Sequence, residues 1–307
     1  MNDQTLNGLR SSVGLALSDG SRWSIVSGDR ATSIIVSRLT DVMQLQPHCS
    51  PGSRKIILFG NPGAKRITGV RLTYILTSGK LPIGAVPRSA GSALDKDAVI
   101  CIVNPAKNSD MLALQLMRLS LIIGRLAQFN GGLLIHGALA ELDGVGVILA
   151  GPGGAGKTTA SQRLPASWRS LSDDCTLVVR NKQGEYRAHP WPTWSEFMFG
   201  GPGGTWDVQA SVRLKNIFFL TPDPEDRTEQ LGVGASVCLI VNSAEQAWGQ
   251  IPPRIGKDEV LAMRLQRFNN ICSLAKVVPC YILRMSMDGL FWNEIARVID
   301  GKNRVIS

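Results

Sequence analysis

A chain of 307 residues, 44% of them hydrophobic, is long enough for two domains and apolar enough to bury a substantial core, which excludes a largely disordered protein. Charged residues make up 19%, and 33 Lys and Arg against 24 Asp and Glu leave a formal charge of +9, which suggests an acidic partner without identifying it. The excess is local: residues 1–107 carry 13 basic and 6 acidic side chains, whereas residues 108–307 carry 20 and 18.

Up to about Lys107 the chain offers short β-branched runs, Trp23–Val26, Ser33–Leu39, Lys55–Phe59 and Ala98–Val103, separated by turn-forming clusters such as Asn61-Pro62-Gly63 and Pro87–Ser92. This pattern predicts a small basic strand-rich domain over 1–107. Asn108 or Ser109 can cap a helix whose apolar residues Leu112, Met117, Leu119, Ile122, Ile123 and Leu126 recur at helical spacing until Asn130-Gly131-Gly132 stops it, so 108–130 reads as a linking helix. Its Gln115, Arg118 and Arg125 would be costly in lipid, and no membrane span is expected. Two strand-like runs, Leu133–Ala140 and Val145–Ala150, flank the turn Leu142-Asp143-Gly144 and predict a hairpin. A glycine-rich loop and a short helix over Lys157–Leu164 follow, then the pair Asp173-Asp174 and a strand over Thr176–Val179. Asp258–Ala275 reads as helix, Val277–Met285 as strand and Gly289–Ile299 as helix, closing a second domain over 131–307.

Gly151-Pro152-Gly153-Gly154-Ala155-Gly156-Lys157-Thr158 satisfies G-x-x-x-x-G-K-[ST] at every fixed position, between an apolar strand and a helix-compatible segment. Glycines let successive backbone N–H groups turn around a phosphate without Cβ clashes, Lys157 can reach the β- and γ-phosphates, and Thr158 can offer a hydroxyl to Mg²⁺. The expected nucleotide-binding residues are Gly151, Gly153, Gly154, Ala155, Gly156, Lys157, Thr158 and Thr159, with ATP and Mg²⁺ as ligands. At Asp173-Asp174 one carboxylate can hold the metal while its neighbour accepts a proton. Adjacent residues of an extended strand face opposite ways, so both can act only where the chain bends; a solvated turn pair is the alternative. His136, a polar ring in an apolar strand, is either a satisfied core histidine or a catalytic one. The segment from His189 to Trp206, rich in Trp, Gly and Pro, reads equally as a lid or peptide groove and as a rigid surface loop whose tryptophans cover the core.

Leu134-Ile135-His136-Gly137, then Gly146 through Thr158, then Leu171-Ser172-Asp173-Asp174 resemble, in order and spacing, the kinase domain of the HPr serine kinase family over about residues 130–222. More narrowly, the chain resembles the SynChlorMet cassette protein C family, P-loop proteins encoded beside radical-SAM peptide-modifying enzymes, and this likeness runs on to the C-terminus. The resemblance implies an α/β fold, an HPr kinase/phosphoenolpyruvate carboxykinase-like P-loop domain with a smaller N-terminal α+β domain. It also implies an ATP- and Mg²⁺-dependent kinase acting on a Ser or Thr hydroxyl of a peptide or protein, a ribosomally synthesised precursor in the narrower family. His136 would then assist an Asp173 base, and Asp174 with Thr158 would hold Mg²⁺. One departure is Thr159, where the broader family typically has Glu; another is the lack of a convincing phosphorolysis signature, and both favour an acceptor other than HPr. A nucleotide-binding scaffold subunit of a peptide-modifying complex, or an ATP-dependent peptide-modifying enzyme other than a kinase, are the alternatives.

The expected partners are a peptide or protein acceptor and other enzymes of the cassette, with a homo-oligomer also allowed. Arg54, Lys55, Lys65, Arg66 and Arg71 could steer an acidic peptide, or form a simply solvated basic face. Aromatics there are sparse, Trp23, Phe59 and Tyr74, so nucleic acid is not expected. Cys49, Cys101, Cys175, Cys238, Cys272 and Cys280 include no C-x-x-C pair, and only His48, His136 and His189 accompany them, which argues against a zinc module. The start Met1-Asn2-Asp3-Gln4 has neither a basic nor an apolar run, giving a cytoplasmic expectation.

Overall fold

The computed structural model is a mixed α/β structure that describes residues 12–47, 54–60, 72–76, 98–103, 106, 108–248 and 257–301. It divides into two units, one of residues 1–120 with 194–209 and the other of residues 121–193 with 210–307.

The first unit orders β1 (Ser12–Ala16), β2 (Arg22–Ser27), α1 (Arg30–Met43), β3 (Arg54–Gly60), β4 (Leu72–Leu76) and β5 (Ala98–Val103). The sheet runs β1-β2-β3-β5-β4, with β2, β3 and β5 parallel and an antiparallel strand at each edge. The run Ser33–Leu39, expected as a strand, is instead the middle of α1. Ile35, Val36, Leu39, Val42 and Met43 are buried at helical spacing, and the carboxylate of Asp29 accepts the Thr32 N–H at 2.9 Å as an N-cap. A β-branched residue costs a helix at most about 0.7 kcal/mol, whereas each buried apolar side chain contributes about 1.5–3 kcal/mol, so packing overrides local preference.

Of the basic residues read as a steering face, Arg54 lies over the buried Trp23 ring at 5.4 Å and Lys55 follows it in β3. Lys65, Arg66 and Arg71 lie outside the described residues. Burial leaves Trp23 no face for stacking on a base. The segment Trp194–Gln209 returns to this unit: the Trp206 N–H donates to the Val42 carbonyl at 2.7 Å, and Trp194 Nε1 donates to the Ser120 hydroxyl at 2.8 Å. Both tryptophans are buried, with Phe197 between their rings, which is the core-covering alternative rather than an open groove.

Helix α2 (Ser109–Gln128) is divided between the units after Ser120. It stops as its glycines require: Gly131 adopts φ +86, its N–H donates to the Gln128 carbonyl at 3.1 Å, and the Gly132 N–H donates to Ala127 at 2.9 Å, a Schellman ending. The second unit continues with β6 (Leu133–Leu142), β7 (Val145–Ala150), α3 (Lys157–Arg163), β8 (Arg169–Ser172), β9 (Cys175–Arg180), β10 (Tyr186–Trp191), β11 (Val212–Pro222), β12 (Arg227–Gln230), α4 (Val233–Trp248), α5 (Lys257–Ala275), β13 (Cys280–Met285) and α6 (Phe291–Ile299). Strands β6 and β7 form the expected hairpin, with Asp143 and Gly144 both at positive φ.

The sheet order is β10-β9-β6-β7-β11-β13-β12, with β8 beside β6; β7, β11 and β13 run parallel. A core of Leu149, Phe218, Leu220, Tyr281, Leu283, Phe291 and Ile295 packs α6 against these central strands. Phe291 is fully buried, edge-on to Trp292. Phe291→Ala is therefore expected to cost about 3–5 kcal/mol, read as a lowered urea midpoint with little change in slope.

Candidate functional site

The glycine-rich loop leaves the sheet at the carboxyl end of β7, whose last residue, Ala150, pairs with Gly137 on one side and Phe219 on the other. Ligands of open α/β sheets bind at this end of the parallel strands. Gly154 and Gly156 adopt φ +79 and +89, and Gly153 and Gly154 are exposed, so at these two positions the backbone itself faces outward. Lys157 is buried, and its Nζ donates to the carbonyl oxygens of Gly151 at 2.9 Å and Pro152 at 3.0 Å. Burial lowers the pKa of this ammonium, against the pull of the Asp174 charge. Thr158 and Thr159 are exposed on the first turn of α3. The other end of α3 is fixed by Arg163, which donates to the carbonyls of Ser286 at 3.0 Å and Gly289 at 2.6 Å and lies over the Phe291 ring.

The acidic pair sits where two strands meet the same neighbour. β8 and β9 both pair with β6, Leu139 opposite Ser172 and His136 opposite Cys175, and Asp173-Asp174 form the bend between them. The Ser172 hydroxyl donates to the Cys175 carbonyl at 2.8 Å and holds the bend closed. Asp173 accepts a hydrogen bond from the Thr193 hydroxyl. Asp174 faces His136, with Nδ1 and Oδ1 3.3 Å apart. The resemblance would couple His136 to Asp173; the structure couples it to Asp174, because the β6–β9 register sets His136 opposite Cys175, next to Asp174.

The electrostatics connect the two halves of the site. Burial lowers the pKa of His136 and the Lys157 charge lowers it further, against the pull of Asp174. Burial pushes the Cys175 thiol well above its ordinary value. Lys157, His136 and Asp174 are thus brought together, and Asp173 is held separately by Thr193.

Thr193 carries no signal in the sequence, and Cys175 stands there only among cysteines whose spacing argues against a zinc module; the places of both depend on strand register and on the bend. His189, singled out with the tryptophan-rich segment, is fully buried in β10.

Whether these residues suit Mg²⁺ can be judged from their donor atoms. An exposed hydroxyl at Thr158 and a half-exposed carboxylate at Asp174 are hard oxygen ligands of the kind Mg²⁺ takes alongside water and phosphate. The exposed backbone of 152–154 leaves room for phosphate: a Cβ placed at Gly153 or Gly154 would meet nothing within 4 Å. The donor set fits the ion. Among the described residues no helix is long and apolar enough to cross a membrane.

Residues 99–300 match the family described as SynChlorMet cassette protein ScmC. No curated protein matches the chain.

Proposed function

The chain belongs to the SynChlorMet cassette protein ScmC family, and from that premise we propose that it is an ATP- and Mg²⁺-dependent phosphotransferase of the HPr kinase-like P-loop type. Its acceptor is a Ser or Thr hydroxyl of a peptide or protein, in the first place a ribosomally synthesised precursor modified by the same cassette. The observation that carries the reading is Lys157, buried inside a G-x-x-x-x-G-K-[ST] loop and electrostatically coupled to the His136–Asp174 pair. Mere binding of a nucleotide would not need a histidine and two oriented carboxylates beside that loop.

Catalysis on this reading is positioning and charge neutralisation. The loop N–H groups and Lys157 hold the β- and γ-phosphates. Thr158 and Asp174 hold Mg²⁺, which when bound offsets the negative charge of the phosphates. His136, in contact with Asp174, acts as a positioning residue. Asp173, oriented by Thr193, takes the acceptor proton as the hydroxyl oxygen bonds to the γ-phosphorus and the bond to the β–γ bridging oxygen breaks, releasing ADP. Thr159, in place of the acidic residue of the broader family, supports a one-way transfer to a different acceptor.

Nucleotide product analysis separates this reading from its rivals. Incubation with ATP, Mg²⁺ and the precursor peptides is expected to yield ADP and phosphopeptide in equal amounts. Bound ATP with no turnover would leave a scaffold subunit, and ADP or AMP formed with a different peptide modification would mean activation chemistry of another class.

The basic N-terminal third fits recognition of the acceptor, because every phosphate-binding feature lies beyond residue 130. Exposed charges more than a Debye length apart, about 8 Å at physiological ionic strength, are screened by salt. Reversing Arg54, Lys55, Lys65 and Arg66 to Glu is expected to weaken peptide affinity severalfold at low salt and much less at high salt, with ATP affinity unchanged. Titration calorimetry at two salt concentrations reads both effects; affinity indifferent to salt and to the reversals would leave these residues a solvated face.

A further inference from the structure

Three side chains of different chemistry converge beside the glycine-rich loop. His136 Nδ1 and Asp174 Oδ1 are 3.3 Å apart, and with Cys175 Sγ the three ligand atoms all lie within 4.8 Å of one another. Phosphoryl transfer gives the first two a part and leaves the thiol without one. The convergence is a product of the local backbone: cross-strand partners share a face of the sheet, which brings His136 and Cys175 together, and the bend before β9 turns Asp174 to the same side. All three residues are half-buried, so an ion among them would be partly shielded from water.

The ligand types discriminate between metals. A four-coordinate zinc ion with bonds of about 2.0–2.3 Å to nitrogen, oxygen and sulfur separates its donors by about 3.3–3.8 Å, within reach of small side-chain rotations here. Magnesium takes hard oxygen donors and has no use for a thiolate. We propose that His136, Asp174 and Cys175 form a binding site for a thiophilic divalent cation of the Zn²⁺ class, mutually exclusive with Mg²⁺ because both ions require Asp174. Three protein ligands leave the fourth position to water. On binding, the thiol proton passes to solvent as the metal–sulfur bond forms. The Asp174 charge attracts the Lys157 ammonium, so a dication held by Asp174 also weakens an attraction that helps hold the ammonium at the loop. The site would thus bring zinc into opposition with nucleotide chemistry.

Cobalt(II) titration of the full-length, metal-free protein tests the site directly, with Zn²⁺ as competitor. One equivalent of Co²⁺ is expected to produce a thiolate-to-cobalt charge-transfer band together with the intense visible bands of four-coordination, both abolished by Zn²⁺. The charge-transfer band should be missing from Cys175→Ser and from Cys175→Ala, and His136→Gln should weaken Zn²⁺ binding at least tenfold. Thermal melting of each variant verifies that it is folded, and the two Cys175 replacements guard against misfolding of either. A cobalt spectrum without the thiolate band, or the same band in a folded Cys175 variant, overturns the proposal.

A second arm rests on the phosphotransferase reading. Zn²⁺ should inhibit Mg²⁺-supported turnover of the wild type, and a folded Cys175 variant should need at least tenfold more Zn²⁺ for the same fractional loss of its own zinc-free rate. Equal sensitivity would contradict the site. Absence of turnover in the wild type would instead defeat the phosphotransferase reading, and the cobalt spectrum would still decide the metal site.

Discussion

Lys157→Ala is expected to lower phosphoryl transfer by about a hundredfold or more and to weaken Mg·ATP binding in calorimetry, the scale seen when one preorganised charge-stabilising donor is removed from an active site. The ammonium donates to the loop carbonyls of Gly151 and Pro152, and it is buried where the local dielectric makes each charge count for more. Removing it leaves the phosphates to the backbone dipoles and Mg²⁺. Two carbonyl contacts are lost as well; Lys157→Met loses the same charge and contacts but keeps the aliphatic stem, and so separates the role of the ammonium from that of the packing. Both variants should lose nucleotide while unfolding near the wild-type temperature. Unchanged affinity and turnover in both would make the loop a structural turn that matches the motif by chance.

Replacing the two aspartates should give two different losses. Asp173→Asn keeps the shape and the Thr193 contact but cannot accept the acceptor proton, and is expected to retain nucleotide while losing about 10²–10⁴-fold in turnover. Asp174→Asn removes a hard, charged ligand and the partner of His136, and is expected to raise the Mg²⁺ concentration needed for half-maximal activity by about tenfold or more, with part of the rate recovered at high Mg²⁺. Rates of both variants across a Mg²⁺ series separate the roles. Exchanged phenotypes would exchange the assignments, and two fully active variants would reduce the pair to a bend that joins β8 to β9.

Features written in contiguous residues were legible in the sequence. The glycine-rich loop, the Asp143-Gly144 hairpin and the glycine stop after α2 each depend on backbone conformations that a few neighbouring residues dictate. Features decided by distant partners were not. Ser33–Leu39 reads as a strand by composition and becomes helix because its apolar residues are buried at helical spacing. Helix α4 was hidden for a similar reason: Val237-Cys238-Leu239-Ile240-Val241 is an apolar, β-branched run, and Gly234 and Ser236 weaken helix propensity before it. The tryptophan-rich segment returns to the first unit through the Trp206–Val42 and Trp194–Ser120 hydrogen bonds, links that no local pattern announces.

The site divides along the same line. Lys157 and the acidic pair stood out as types in sequence. That the chain bends at Asp173-Asp174, that His136 faces Asp174, and that Thr193 and Cys175 join them follow from the registers of β6, β9 and β10. A one-residue shift of β9 against β6 would have turned Cys175 to the opposite face.

Transfer of the γ-phosphoryl group itself is the most direct measure of the central claim. ATP labelled in its γ-phosphate, Mg²⁺ and each precursor peptide of the cassette are incubated with the wild-type protein and with Asp173→Asn, and the label is followed by intact and fragment-ion mass spectrometry. The expected result is one labelled phosphoryl group on a Ser or Thr of a precursor with the wild type, formed in step with ADP, and far less with the variant. Nucleotide bound or consumed by the wild type with no label on any peptide or protein hydroxyl would contradict it.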